Sequence, residues 1–87
     1  MKKIKQIKIA YNYKKLKRQK CADDDTEVFQ KDVLQAINIS GPTLSKIVNA
    51  DTLSEKNYKT SIENIIKLAW YFDVKLDEVI NYEIIEE

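Results

Sequence analysis

Gly41 and Pro42 are the only glycine and the only proline in the 87-residue chain, and they are adjacent. Sheets joined by tight turns use such residues at many corners, so their scarcity points to helices linked by polar loops. The expected fold class is all-α. It has five helices, near residues 9–20, 29–37, 41–49, 61–72 and 76–81, in a single domain spanning 1–87. At this size folding buries only roughly 60–65% of the surface of the unfolded chain, which leaves a thin core. Leu16, Val33, Leu44, Ile47, Ile66 and Trp70 are expected to share it.

Apolar spacing and capping residues place the elements. Val33, Leu34 and Ile37 fall on one helical face, and Asn38-Ile39-Ser40 breaks the pattern. Asn38 tolerates the left-handed conformation that ends a helix, and Ser40 can cap the next one. Gly41 and Pro42 then occupy its first turn, where a missing N–H costs little. Leu44, Ile47 and Val48 form its inward stripe. Residues 50–60 read as a long polar connection, and Thr60-Ser61-Ile62-Glu63 as a capping box. The helix after it is expected to turn Ile62, Ile65, Ile66, Ala69 and Trp70 inward. Asp73-Val74-Lys75 makes a tight corner, and Leu76, Val79 and Ile80 face the core from the last helix.

The ends of the chain are less regular. Ile4, Ile7 and Tyr11 lie on one helical stripe and Ile9, Tyr13 and Leu16 on its neighbour, which suits an amphipathic helix. Ile7, Ile9, Tyr11 and Tyr13 also alternate with period two, a strand signature. The helix is placed from about residue 9 to 20, and residues 1–8 are an arm or a strand. Cys21 to Thr26, with three consecutive aspartates, reads as part of a loop over 21–28. The tail, 82–87, brings Tyr82, Ile84 and Ile85 with no evident core to join. It either forms the contact of a homodimer or folds back near Leu16 or Trp70.

Composition excludes much chemistry. The chain has no histidine, so histidine-based acid–base catalysis, Ser-His and Cys-His triads and the usual zinc sites are ruled out. No catalytic residue, metal or cofactor is expected, nor an evident small-molecule effector. A lone cysteine, Cys21, makes no internal disulfide and suits a reducing cytoplasm. The opening MKKIKQIK is basic like a signal peptide but has no apolar stretch after it, and no run approaches the ~20 apolar residues of a membrane span.

Charge is distributed unevenly. Residues 1–20 carry nine cations and no acid, whereas 21–87 carry six cations and fourteen acids, a net of −8. A basic segment on an acidic body suggests a polyanion on one side of the molecule or a solvated helix face; a membrane surface is a third reading, weakened because the apolar positions here are few and interrupted.

The most informative segment is Gln30–Asn49. Two short helices are pinned by Val33, Ile37, Ile39, Leu44 and Ile47 across a three-residue turn. The second is left showing Ser40, Gly41, Pro42, Ser45, Lys46 and Asn49, and such a helix fits the ~12 Å major groove of B-DNA. The run Phe29 to Ala50, together with Ser61 to Ala69 and Asp73 to Ile80, resembles the lambda-repressor-like, Cro-type (xenobiotic-response-element) helix-turn-helix family. Leu34 stands where that family usually has a small alanine, and Asn38 where it has the turn glycine. The resemblance implies a DNA-binding motif at 30–49. Gln30 would contact phosphate, and Ser45, Lys46 and Asn49 would contact bases or phosphates. Thr43 would lie at the interface with Ser40 and Gly41, Pro42 would touch a thymine methyl, and Lys31, Lys56 and Lys59 would reach phosphates.

The expected function is a small transcriptional regulator of double-stranded DNA, of phage, mobile-element or antitoxin type. It would act as a homodimer by occupying its operator. The alternative is a helical protein-interaction module that has lost DNA binding.

Overall fold

The computed structural model describes residues 2–24 and 30–87. The chain runs β1 (Ile4–Tyr11), α1 (Tyr13–Asp24), α2 (Gln30–Ile37), α3 (Gly41–Asn49), α4 (Ile62–Phe72), α5 (Leu76–Val79) and β2 (Ile80–Glu86). It is mixed α/β rather than all-α: five helices carry a two-stranded antiparallel sheet that joins the two ends of the chain.

Three expectations are corrected together. The segment expected to begin a helix at residue 9 is strand until Tyr11. The last helix stops at Val79 instead of 81, and the tail is β2. The period-two signal is the operative one. Ile7, Ile9 and Tyr11 pair with Ile84, Tyr82 and Ile80 on one face of the ribbon. Lys8 lies opposite Glu83 on the other face, a favourable cross-strand charge pair. An irregularity between Ile4 and Gln6 shifts the register at the outer end. That end projects from the helical body, with Ile4, Ile7, Tyr82 and Ile84 exposed, while Ile9, Ala10 and Tyr11 are buried.

Asn12 marks the change from strand to helix. Its N–H donates to Val79 O at 2.8 Å and its carbonyl accepts from Leu16 N at 2.9 Å, starting α1. Its amide also pairs with that of Asn81, each Nδ2 donating to the other's Oδ1 at 3.3 and 2.8 Å.

The polar connection 50–60 is stitched to the other edge of β1. Ile9 and Ser54 exchange backbone hydrogen bonds at 3.3 Å, and Tyr11 N donates to Ala50 O at 2.8 Å. Asn57 Nδ2 donates to Ile9 O at 2.7 Å and to Thr52 O at 2.6 Å. The Tyr11 hydroxyl donates to Tyr58 O at 2.7 Å and accepts from Thr60 N at 2.9 Å. Burial raises its pKa, and the Thr60 hydrogen bond opposes that shift.

Val33, Leu44 and Ile47 are wholly buried and Leu16 nearly so, as expected. Ile66 and Trp70 are not: they are 51% and 71% exposed, and Ile62 is 62% exposed. α4 buries Ile65, Leu68, Ala69 and Phe72 instead. Those positions follow the i, i+3, i+4, i+7 spacing of a core-facing stripe, while Ile62, Ile66 and Trp70 form a separate ridge at i, i+4, i+8. Ser61 rather than Thr60 caps α4, accepting from Asn64 N at 3.4 Å. Asp73 ends it in the left-handed conformation, which makes the expected corner.

Cys21 lies within α1, which continues to Asp24, so the front of the expected loop 21–28 is helical. Residues 25–29, with Phe29 at the head of the expected second helix, lie outside the described residues.

Leu44→Ala should destabilise the fold by about 2–5 kcal/mol in denaturant unfolding. The two buried tyrosines should respond in opposite ways. Tyr11→Phe orphans Tyr58 O and Thr60 N and should cost about 1–3 kcal/mol. Tyr13 Oη is buried with no hydrogen-bond partner among the described residues, so Tyr13→Phe should be neutral or stabilising. Burial, and secondarily Tyr71, pushes the Tyr13 phenol up to about 12 from 10. The unfolded chain therefore ionises first, and this contribution, full below pH 10, is lost as pH rises to 12. Unfolding of the Tyr13→Phe variant across that window should show a smaller alkaline loss than that of the parent.

Candidate nucleic-acid interface

α2 ends in a hydrogen-bonded turn. Asn38 adopts φ 52°, and Ile39 N–H reaches back to Leu34 O at 3.4 Å. This is the Schellman pattern, with asparagine in the usual glycine position. Ile39 is then buried beneath the turn, beside Val33, Ile37, Leu44 and Ile47. Leu34 lies partly buried over the start of α3. A Cβ on Gly41 would stand 4.0 Å from Leu34 Cδ1, an ordinary contact, so the larger residue on α2 is accommodated.

Ser40 caps α3. Its Oγ accepts from Thr43 N at 3.3 Å, and its hydroxyl donates to Thr43 Oγ1 at 2.6 Å. Of the expected site residues, Ser40 and Thr43 therefore have their hydroxyls committed to each other, and Gly41 and Pro42 bring no side-chain donor. The helix presents Ser45, Lys46 and Asn49, all exposed. Lys46 Nζ lies 5.2 Å from the centroid of the Tyr58 ring, a cation–π contact that holds the ammonium beside α3. Because Tyr11 fixes the Tyr58 carbonyl, β1 indirectly positions this lysine.

The remaining expected residues are more dispersed. Gln30 and Lys31 are exposed in the first turn of α2. Lys56 and Lys59 belong to the loop docked on β1. There Lys56 N–H donates to Ser54 Oγ, and Lys59 Nζ turns back to Glu55 O at 2.8 Å. Glu55 also accepts from Gln6 Nε2 at 2.6 Å.

The basic segment 1–20 is legible in the sequence as a whole, but the pairing of α1 with the residues after α3 is not. Lys14 Nζ pairs with Asp51 at 3.1 Å, just beyond α3. The hydrogen bond from Lys14, then its charge, holds the Asp51 carboxyl below its usual range. The acid closest in sequence to the end of α3 is thereby offset. Lys14, Lys17, Arg18 and Cys21 line one shallow depression of about 480 Å³. Their spacing of i, i+3, i+4 and i+7 is the available signal, and it is hidden among the many N-terminal cations.

The motif itself is weakly charged. Residues 30–60 hold four lysines and three acids. Of the two lysines of β1, Lys8 lies opposite Glu83, and Lys5 falls at the register irregularity. α1 carries five cations before its first acid, Asp23.

Among the described residues no group of three or more His, Cys, Asp or Glu side chains is arranged to hold a metal ion, and no helix is long and apolar enough to cross a membrane. Comparison with protein-family profiles, with curated proteins and with solved structures finds no match for this chain.

Exchanging Lys14 for Ala should return the Asp51 carboxyl toward its ordinary range, measurable as an upward shift in its NMR titration midpoint.

Proposed function

We propose that the chain is a sequence-specific DNA-binding regulator of the lambda-repressor-like, Cro-type kind, cytoplasmic and without a bound effector, acting by operator occupancy. The supporting observation is the buried pin of Val33, Ile37, Ile39, Leu44 and Ile47 under a capped α3 that leaves Ser45, Lys46 and Asn49 exposed on one face. Ser45 and Asn49 are groups that hydrogen-bond base edges, and Lys46 can reach a base or a phosphate. α1, held beside the end of α3 by the Lys14–Asp51 pair, adds cations for the backbone. One such module reads few base pairs, so a homodimer on half-sites ~34–36 Å apart is the natural binding form.

The near-neutral motif supports a second function, a helical module that holds another protein. Salt dependence separates the two. The test is footprinting and affinity measurement on DNA flanking the gene. Single changes at Ser45 or Asn49 should alter preference by ~1–3 kcal/mol at individual base pairs, and Lys46→Ala should weaken binding. Replacing Lys17 and Arg18 with glutamine should reduce the slope of log K against log salt by about 0.9 for each phosphate that is no longer neutralised. A Ser45/Lys46/Asn49 triple-alanine variant that binds like the parent would overturn the assignment of α3.

A further inference from the structure

The outer ridge of α4 has no partner among the described residues. Ile62, Ile66 and Trp70 are 62%, 51% and 71% exposed. Beside them, Ala36, Ile37 and Asn38 at the end of α2 complete an apolar groove of about 440 Å³ with Ile66, Lys67 and Trp70. A row of large apolar side chains at i, i+4, i+8 is unusual on a solvated helix and marks a contact surface.

We infer that this ridge binds the same ridge of a second copy of the chain, with α4 crossing its twin about a two-fold axis at Ile66. The inference deepens the homodimer element of the reading above and is independent of DNA binding. The spacing of the row is its first support. Ile62 and Trp70 stand four residues on either side of Ile66, so a two-fold through Ile66 lays the row onto itself. Ile66 meets its counterpart, and each Trp70 covers the other copy's Ile62. Rows of i±4 side chains that interdigitate give a crossing near 50° at 8–10 Å, the commonest helix-packing class. Helices that cross diverge away from the centre, and an indole at the end of the row is long enough to fill the widening gap.

Charge is the second support. Glu63 and Lys67 run along the flank of the row and pair within the chain at 3.7 Å. Lys67 Nζ is further held by Asn38 O at 3.2 Å. Under the same two-fold the flanks run antiparallel, which brings Glu63 of each copy beside Lys67 of the other. Apolar row and charged flank are thus both complementary to themselves, as an isologous contact requires.

Trp70 is the only tryptophan, so its emission reports on this surface alone. The test is sedimentation and Trp emission of the full chain without DNA, across a dilution series up to about 100 μM, well above the micromolar range of a specific dimer. The parent should sediment as a dimer and its emission should move to shorter wavelength with concentration. Ile66→Glu, at an exposed site, should keep the parent's circular dichroism yet remain monomeric with solvent-exposed emission. Glu63→Lys and Lys67→Glu should each weaken the dimer. Mixing these two variants should restore it, because each then places opposite charges against the other, whereas loss of the pair within one chain would not be repaired by mixing. A parent that stays monomeric overturns both this interface and the homodimer. A dimer that persists in Ile66→Glu with unshifted emission overturns this interface alone.

Discussion

The hydroxyl of Tyr11 joins two parts of the chain that are distant in sequence, β1 and the end of the connection 50–60. It lies on the inner end of β1, donates to the Tyr58 carbonyl and accepts from Thr60 N–H just before α4. The connection 50–60 would otherwise be solvated backbone, with the freedom of any long loop. Tied to β1 at Ile9, Tyr11 and Asn57, it becomes a third, irregular edge of the ribbon. Tyr58 then stands under Lys46, so the cation of α3 is placed by a strand at the far end of the sequence.

Local signals in the sequence are legible. Asn38, Ser40 and the Gly41-Pro42 pair identify the end of α2 and the start of α3, because capping involves neighbours within a few residues. Of the motif's apolar positions Val33, Ile37, Ile39, Leu44 and Ile47 are buried, and Leu34 and Val48 partly so. The ribbon is less legible, since each strand acquires meaning only from the other: Tyr11 pairs with Ile80, and Ile7 with Ile84. Alternation in the tail, Ile80, Tyr82 and Ile84, is too short to stand alone, and in β1 it competes with a helical spacing of the same isoleucines. α4 misleads differently. It is apolar on two adjacent faces, and a count of inward positions merges the core stripe with the outer ridge unless i+3 neighbours are required.

Charge follows the same division. The N-terminal cations read as one basic segment, but folding separates them. Lys8 of β1 lies opposite Glu83 of β2, while Lys14 of α1 pairs with Asp51, two residues past the end of α3. Under the DNA-binding proposal the candidate site is composite, with α3 offering polar side chains and α1 cations. The basic character of residues 1–20 is legible in the sequence, but the place of α1 beside the residues after α3 is not, because it depends on tertiary packing.

The most direct test of this composite surface is an amide chemical-shift titration of the labelled protein with duplex DNA. The shifts should concentrate on Ser45, Lys46 and Asn49 of α3 and on Lys17 and Arg18 of α1, and leave the Ile62, Ile66 and Trp70 ridge unaffected. Shifts confined to α4 or to the ribbon, with α3 and α1 unmoved, would contradict the account.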